Sequence, residues 1–304
     1  MNSQQKHLIV VAGPTASGKT DIAIELAKWL QTEVVSADSR QLFKDMHIGT
    51  ARPLTDELQN IPHHLLGSHA IEDKMSAGLY EEEALHIIHD LFNKKNHIIV
   101  AGGTGLYIKA ICEGFDDMPE ISDDTRVHLN TLYKEKGLQH LQQLLEQKDP
   151  DYYKEADIHN PQRVIRALEV IETTGKPYTA FRKRAKKVRP FNIIKIGLNT
   201  DREELYSRIN QRVDKMVDSG LIEEARRLHP KKSLNALQTV GYKELFDFFD
   251  GLLSQGEAIA LIKQNTRRYA KRQLTWFRRD ETFEWFHPLD ISGIKQYISS
   301  IIGH

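Results

Sequence analysis

The sequence has little of three things. It contains one cysteine, Cys112, among 304 residues. A lone cysteine excludes an internal disulfide and a zinc site built on cysteines. That suits a reducing cytoplasm, and Cys112 is expected to act as a small buried hydrophobe. Long apolar runs are also missing: nothing approaches the roughly 18 residues of a membrane span, so no membrane association is expected. The run Leu8–Ala12 is shorter than the roughly 7–15 apolar residues of a signal-peptide core, so no leader is expected. Finally, there is no net charge, since 42 Lys and Arg offset 42 Asp and Glu. Taken whole, that balance argues against a polyanion partner. Taken by segment it does not. Residues 1–181 hold 18 basic and 27 acidic side chains, and residues 182–304 hold 24 basic and 15 acidic, giving −9 and +9. Such a split leaves room for a basic face.

What is present alternates in type. Leu8–Ala12 is a short continuous apolar run, as expected of a strand buried on both faces. After a turn, Ile22, Ala23, Leu26, Ala27 and Leu30 recur at helical spacing. Glu33–Ala37 and His97–Ala101 read as further buried strands, with a helix over Gly78–Asn93 between them. This alternation predicts βαβ units and a parallel sheet. Residues 116–190 break the pattern and hold three predicted helices, Asp123–Glu135, Leu138–Gln147 and Pro161–Thr173. Phe191–Leu198 then resumes as a strand, followed by helices at Glu203–Ser219, Ile222–Leu228 and Gly256–Arg279. The expected architecture is therefore α/β: a P-loop NTPase-like parallel sheet core flanked by helices, formed by residues 1–115 and 191–304. An all-helical domain, residues 116–190, is inserted in it.

The strongest chemical signal is Gly13-Pro14-Thr15-Ala16-Ser17-Gly18-Lys19-Thr20, which fits G-x-x-x-x-G-K-[ST] between a strand and a helix. Its backbone amides and the helix N-terminus can cradle phosphate oxygens. Lys19 adds a point charge, and the Thr20 hydroxyl can ligate Mg²⁺. The motif says polyphosphate without saying which, and it is common to nucleotide-binding proteins that take ATP. Asn93-Lys94-Lys95-Asn96 fails as a guanine reader at its last position. Asp38, closing the second strand, is the one good acidic candidate beside the loop, and by itself could be a metal ligand, a base or a helix cap. His63, His64 and His69 lack a convincing third-ligand spacing, so a structural role is expected of them.

Further motifs narrow the reading. Ser36-Ala37-Asp38-Ser39-Arg40-Gln41, Met46-His47-Ile48-Gly49-Thr50-Ala51 and Gly102-Gly103-Thr104-Gly105-Leu106-Tyr107 follow the P-loop in order. Arg163-Val164-Ile165-Arg166-Ala167-Leu168-Glu169-Val170, Val240-Gly241-Tyr242 and Ala270-Lys271-Arg272-Gln273-Leu274-Thr275-Trp276-Phe277 complete the set. Together they resemble the tRNA dimethylallyltransferases over almost the whole chain, with a departure from the family pattern at Ala156–Pro161. The resemblance implies transfer of a dimethylallyl group from dimethylallyl diphosphate to N6 of adenine 37 in tRNAs that read codons starting with U. It implies Asp38 as the general base, Thr15 near the reacting centre, and Arg212 with the Gly13–Thr20 loop on the diphosphate. RNA contacts are implied at Asp38, Ser39, Arg40, Gln41, Thr104, Arg126, Gln162, Arg163, Val164, Ile165, Arg166, Gly241, Tyr242 and Lys243. The implied partners are the tRNA anticodon stem-loop and dimethylallyl diphosphate, with Mg²⁺ as cofactor; a monomer is expected, because an anticodon arm needs one asymmetric cleft. A P-loop small-molecule or nucleotide kinase, or a non-catalytic P-loop RNA-binding protein, are the competing readings.

Two spacing arguments stand apart from the resemblance. Arg208, Arg212 and Lys215 share one helix face beside the stripe Leu205, Ile209, Val213 and Met216. Arg267, Arg268, Lys271, Arg272, Arg278 and Arg279 share one side of the C-terminal helix, with Tyr269, Ala270, Leu274, Trp276 and Phe277 expected opposite. That side reads as a polyanion rail. Arg182–Arg189, with six basic residues in eight, is either a second rail or a solvated linker.

Overall fold

A computed structural model describes residues 5–183 and 186–303. The strands are β1 (His7–Ala12), β2 (Val34–Ser36), β3 (His63–His64), β4 (His97–Gly102), β5 (Asn192–Leu198) and β6 (Phe283–Phe286). They form one sheet in the order β3-β2-β4-β1-β5-β6, and every pairing is parallel. β1 lies between β4 and β5, with Ala12 level with Gly102 and Gly197. Because all strands run the same way, the loops after β1, β2, β4 and β5 leave from one edge, where such sheets bind ligands.

The helices of the core are α1 (Lys19–Trp29), α2 (Ala77–Phe92) and α3 (Gly105–Glu113). The helical insertion holds α4 (Asp123–Lys148), α5 (Pro150–Glu155) and α6 (Pro161–Thr174). After β5 come α7 (Arg202–Asp218), α8 (Leu221–Leu228), α9 (Tyr242–Phe249), α10 (Gln255–Phe277) and α11 (Ile291–Ile302). No helix among the described residues is long and apolar enough to cross a membrane.

Strand pleating explains the continuous apolar runs. Leu8 and Val10 point into a core with α2, α3 and Phe277 of α10. Ile9 and Val11 point to the other face and pack with Ile22, Ala23, Leu26 and Ala27 of α1 and Ile294 and Ile298 of α11. A further cluster joins Met46, Val213, Leu221, Ala225, Leu228, Tyr242, Phe246 and Ile262, tying α7 to α10. At roughly 25 cal/mol per Å² of apolar surface removed from water, such burial is the main stabilising contribution.

The chain divides into two compact units, Met1–Glu113 with Val188–His304, and Gly114–Lys187. The second unit is all-helical around Leu129, Leu141, Leu145, Val164, Leu168 and Ile171. Its α4 is two helical stretches interrupted at Gly137, which has φ 76° and ψ 177°. The short α5, capped by Asp149, was not expected; neither were α3, α9, α11, β3 and β6. β6 is four residues, Phe-Glu-Trp-Phe, at the sheet edge, too short and too mixed for periodicity to reveal.

The basic run Arg182–Arg189 is neither a free rail nor a simple linker. Arg184 and Ala185 lie outside the described residues. Arg182 pairs with Glu155, and Lys187 with Asp117. Arg189 is buried: its Nη2 lies 2.8 Å from Glu81 Oε1, and it donates to the Ala110 and Ile111 carbonyls at the end of α3. Both partners of this ion pair are about nine-tenths buried, with side chains 10% and 11% exposed. Removing one partner strands a buried charge. Arg189→Ala is therefore expected to lower stability by about 3–5 kcal/mol, read as a drop in the denaturant midpoint at unchanged slope. A midpoint equal to wild type would refute this.

Candidate functional site

The loop between β1 and α1 shows why its residues are small. Gly18, the N-cap of α1, adopts φ 82°, where a side chain would be strained. Ala16 is also left-handed at φ 64°. Two of the loop's donors are spent inside the protein. Ser17 N donates to Pro14 O at 3.3 Å, and Thr15 N donates to Gln273 Oε1 at 2.9 Å. The N–H groups of Ala16, Gly18, Lys19 and Thr20 donate to no partner among the described residues. These four amides are available to an anion, a narrower set than the whole Gly13–Thr20 motif suggested.

Three charged groups face this cradle. Lys19 Nζ rests on the Pro14 carbonyl at 2.5 Å. Burial holds its ammonium down at about 7; Asp38 opposes that shift and Arg212 adds to it. Arg212, from α7, donates to Ala51 O at 3.1 Å, and burial lowers its pKa against the pull of Asp38 and Glu57. Asp38 follows β2. Its Oδ1 accepts the amides of Arg40 (2.9 Å) and Gln41 (3.2 Å), while Oδ2 accepts no hydrogen bond among the described residues. The carboxylate is thus oriented by its own loop, with one oxygen free to accept a proton. The structure gathers Thr15, Lys19, Thr20, Asp38 and Arg212 along one cleft of about 1590 Å³. That exceeds the roughly 300–1,000 Å³ of an ordinary small-molecule pocket and leaves room for two substrates.

The loop after β4 closes one side. Thr104 Oγ1 accepts Ser39 N at 2.9 Å, so the Asp38 loop and the glycine loop brace each other. Arg40 donates to the Asn235 and Ala236 carbonyls, both at 3.0 Å. Two aromatic hydroxyls belong to this region. Burial pushes Tyr107 and Tyr269 up to about 12, and the charge of Asp38 adds to it. Tyr269 was expected in the core but lines the cleft, under the Arg272 guanidinium.

Some expected contacts are corrected. Tyr242 is fully buried, and its hydroxyl donates to Glu224, so its side chain is closed to RNA; Lys243 beside it is exposed. Val164 and Ile165 are core residues of the second unit. The exposed groups of that stretch are Gln162 and Arg163. Arg126 and Arg166 converge on one buried carboxylate, Glu169, at 3.2 and 3.1 Å, and each keeps over a third of its side chain in solvent. The basic side holds for Arg268, Lys271 and Arg272 of α10 and for Arg278 and Arg279, which follow its end at Phe277; all five are exposed. It fails for Arg267, whose guanidinium bonds Asn210 at 2.6 Å. Trp276 is 39% exposed rather than buried. His63 and His64 form β3, and His64 Nε2 meets Glu33 at 2.7 Å.

Gln273 was missed as a site residue. It is buried on the apolar side of α10, accepts Thr15 N, and donates to Gly103 O at 2.8 Å. One side chain therefore fixes both the phosphate loop and the glycine loop. A polar residue in an apolar stripe was the available signal.

Comparison with known proteins agrees with this geometry. A family described as IPP transferase matches residues 41–280. The chain is 53% identical over 297 residues to the tRNA dimethylallyltransferase of Christiangramia forsetii, covering 97% of this chain and 98% of that one. It is 49% identical over 291 residues to tRNA dimethylallyltransferase 1 of Bacteroides thetaiotaomicron, covering 96% and 94%. Among solved structures, the full-length tRNA isopentenylpyrophosphate transferase of Bacillus halodurans superposes with a TM-score of 0.74 at 36% identity, covering 98% and 97%. A eukaryotic dimethylallyltransferase acting on tRNA superposes with a TM-score of 0.77 at 26% identity, covering 95% of this chain and 75% of that one.

The depressed Lys19 ammonium has a measurable consequence. An anion in the cradle favours the charged form and raises its pKa. Binding of inorganic pyrophosphate near pH 8 is thus expected to take up as much as ~1 proton through Lys19, and affinity to weaken as pH rises above about 7. Calorimetry in two buffers of different ionisation enthalpy, wild type against Lys19→Met, reads this difference. Equal proton uptake by the two proteins would sink it.

Proposed function

The chain belongs to the IPP transferase family and transfers a dimethylallyl group to tRNA; we propose that the acceptor is N6 of adenine 37, in tRNAs that read codons starting with U. The donor is dimethylallyl diphosphate, and the products are N6-dimethylallyladenosine and diphosphate. The chain acts as a monomer. The observation that carries the residue assignment is Asp38: a carboxylate with one oxygen pinned by two amides and the other free, in the same cleft as the phosphate cradle.

The chemistry follows from charge. As the allylic C1–O bond breaks, negative charge grows on the departing diphosphate, and preorganised positive groups lower the barrier most there. Lys19, Arg212 and the N–H groups of Ala16, Gly18, Lys19 and Thr20 supply that field. N6 forms the new bond to C1. Its lone pair is delocalised into the ring, so the proton it loses must have a ready acceptor, which is Asp38 Oδ2. The Thr15 hydroxyl lies beside the reacting carbon. The Thr20 hydroxyl would hold Mg²⁺ together with diphosphate oxygens, an all-oxygen set that suits this ion; bound there, the ion would offset charge on the leaving group. Among the described residues no three His, Cys, Asp or Glu side chains gather to hold a metal without the substrate.

The target adenine must leave its stack to enter the cleft, at a cost of a few kcal/mol. Phosphate contacts offset that cost. Arg126, Gln162, Arg163 and Lys243, in exposed positions, and the half-buried Arg166 are the proposed RNA contacts, together with the Asp38–Gln41 loop and Thr104. The exposed cations of α10 form a further phosphate rail.

Two measurements test this. Incubation with dimethylallyl diphosphate, Mg²⁺ and unmodified U-reading tRNAs should yield prenylated adenosine in the digest, and its absence would refute the reading. Asp38→Asn should lower the single-turnover rate by about 10²–10⁴ with tRNA affinity retained; a rate near wild type would remove Asp38 as the base. For the rail, Arg268→Ala should flatten the slope of log affinity for tRNA against log salt by about one unit. An unchanged slope would mean that Arg268 touches no phosphate.

A further inference from the structure

We infer that Glu224, which lies outside the cleft, is a positioning residue for the transfer reaction, acting through the His47–Ala51 turn on Arg212 and Asp38. The inference rests on the proposed roles of those two residues.

The sequence around Glu224 is unusual. On α8, Leu221, Glu224, Ala225 and Leu228 stand at i, i+3, i+4 and i+7, so a glutamate occupies the helix's apolar stripe. All four are buried, and Glu224 is 3% exposed. Among the described residues it pairs with no Lys, Arg or His. Its partners are neutral donors instead. Oε2 accepts the amides of His47 (3.1 Å) and Ile48 (2.8 Å), and Oε1 accepts the Gly49 amide (2.8 Å) and the Tyr242 hydroxyl (2.7 Å). Three successive amides pointing at one anion make the kind of nest that holds a phosphate in other folds, filled here by the protein's own carboxylate. The turn approaches closely enough only because position 49 is glycine: a Cβ there would overlap the Tyr242 ring.

What the clamp holds is the other side of the same turn. Ala51 is left-handed at φ 45°, a costly conformation for a non-glycine residue that neighbouring contacts must maintain. Its carbonyl accepts Arg212 Nη2 at 3.1 Å. Gln41 Nε2 donates to the Thr50 and Ala51 carbonyls, both at 3.1 Å, while the Gln41 backbone amide bonds Asp38 Oδ1. The amide edge of the turn is fixed by Glu224, and its carbonyl edge seats the arginine for the leaving group and the loop of the base. A buried ion with four donors has one stable orientation, so the turn inherits it. Neutral glutamine cannot reproduce it. Its NH₂ would face an amide donor whichever way the side chain is flipped.

The test is a double-mutant cycle on transfer kinetics. Glu224→Gln is expected to lower the single-turnover rate by about tenfold or more with KM for tRNA changed less than about threefold, measured on protein shown to be folded. Combined with Arg212→Lys it should cost no more than about twofold beyond Arg212→Lys alone, because both act on the same placement. Tyr242→Phe removes one of the four donors and adds no misplaced one. It should show the same pattern at smaller size, about threefold, and decides the question if Glu224→Gln does not fold. A folded Glu224→Gln with lower stability but a wild-type rate, or full additivity with Arg212→Lys, would overturn the inference and make Glu224 a packing residue only. These outcomes are separate from failure of the proposed reaction, in which wild type itself transfers nothing.

Discussion

Two cations, Lys19 and Arg212, share one cleft with the Asp38 carboxylate, and much of the surrounding architecture holds that arrangement. Lys19 and Arg212 are both weakened as cations by burial, and both are drawn back toward the charged form by Asp38. Burial thus makes the charged state of both groups costly, and Asp38 offsets part of that cost. This is preorganisation in the electrostatic sense: the field is present before charge develops, so little need move when it does. The cost is tolerable because each group is anchored by neutral backbone. Lys19 rests on Pro14 O, Arg212 on Ala51 O, and Asp38 on the Arg40 and Gln41 amides.

The anchors themselves depend on single polar residues set into apolar stripes. Gln273 on α10 ties the phosphate loop to the glycine loop, and Glu224 on α8 holds the turn that seats Arg212. Glu244 on α9 follows the same rule, accepting the Gly241 amide at 2.9 Å and the Asn265 amide at 2.7 Å, and so fixing the bend before α9. In the second unit Glu169 does it for two arginines at once. Each is buried where a leucine would pack more cheaply. A buried polar group with all its partners made has one orientation, and a hydrophobic replacement would free the loop it holds.

Much of the fold could be read in the residues themselves. The apolar runs at β1, β4 and β5 gave a parallel sheet because a strand covered on both faces has no polar side to show. The P-loop was legible because glycines, lysine and threonine at fixed spacing have few uses between a strand and a helix. What escaped detection was short or doubly determined. β3 has two residues and β6 four, below the length at which period 2 can be seen. Tyr242, Val164 and Ile165 sit in motifs whose neighbours face outward, yet each is turned inward by helical geometry that the motif does not encode. Gln273 and Glu224 were visible in principle, as polar letters in apolar stripes. The sequence carries no mark of which distant amide each one meets.

Helix α10 shows how far local arrangement can depart from net charge. Its buried side supplies Ala270, Gln273 and Phe277, the second of which bonds the phosphate loop directly. Tyr269 and Arg272 reach the cleft, and Arg268 and Lys271, with Arg278 and Arg279 just past the helix end, are exposed. Because Gln273 is rigidly bonded at both ends, its helix cannot shift without moving the loop. One helix thus carries exposed cations on its outer side and, on its buried side, the side chain that fixes the loop after β1. A zero sum over 304 residues conceals this, since the acidic segment carrying the P-loop and the basic segment carrying α10 cancel in the total but meet at Gln273.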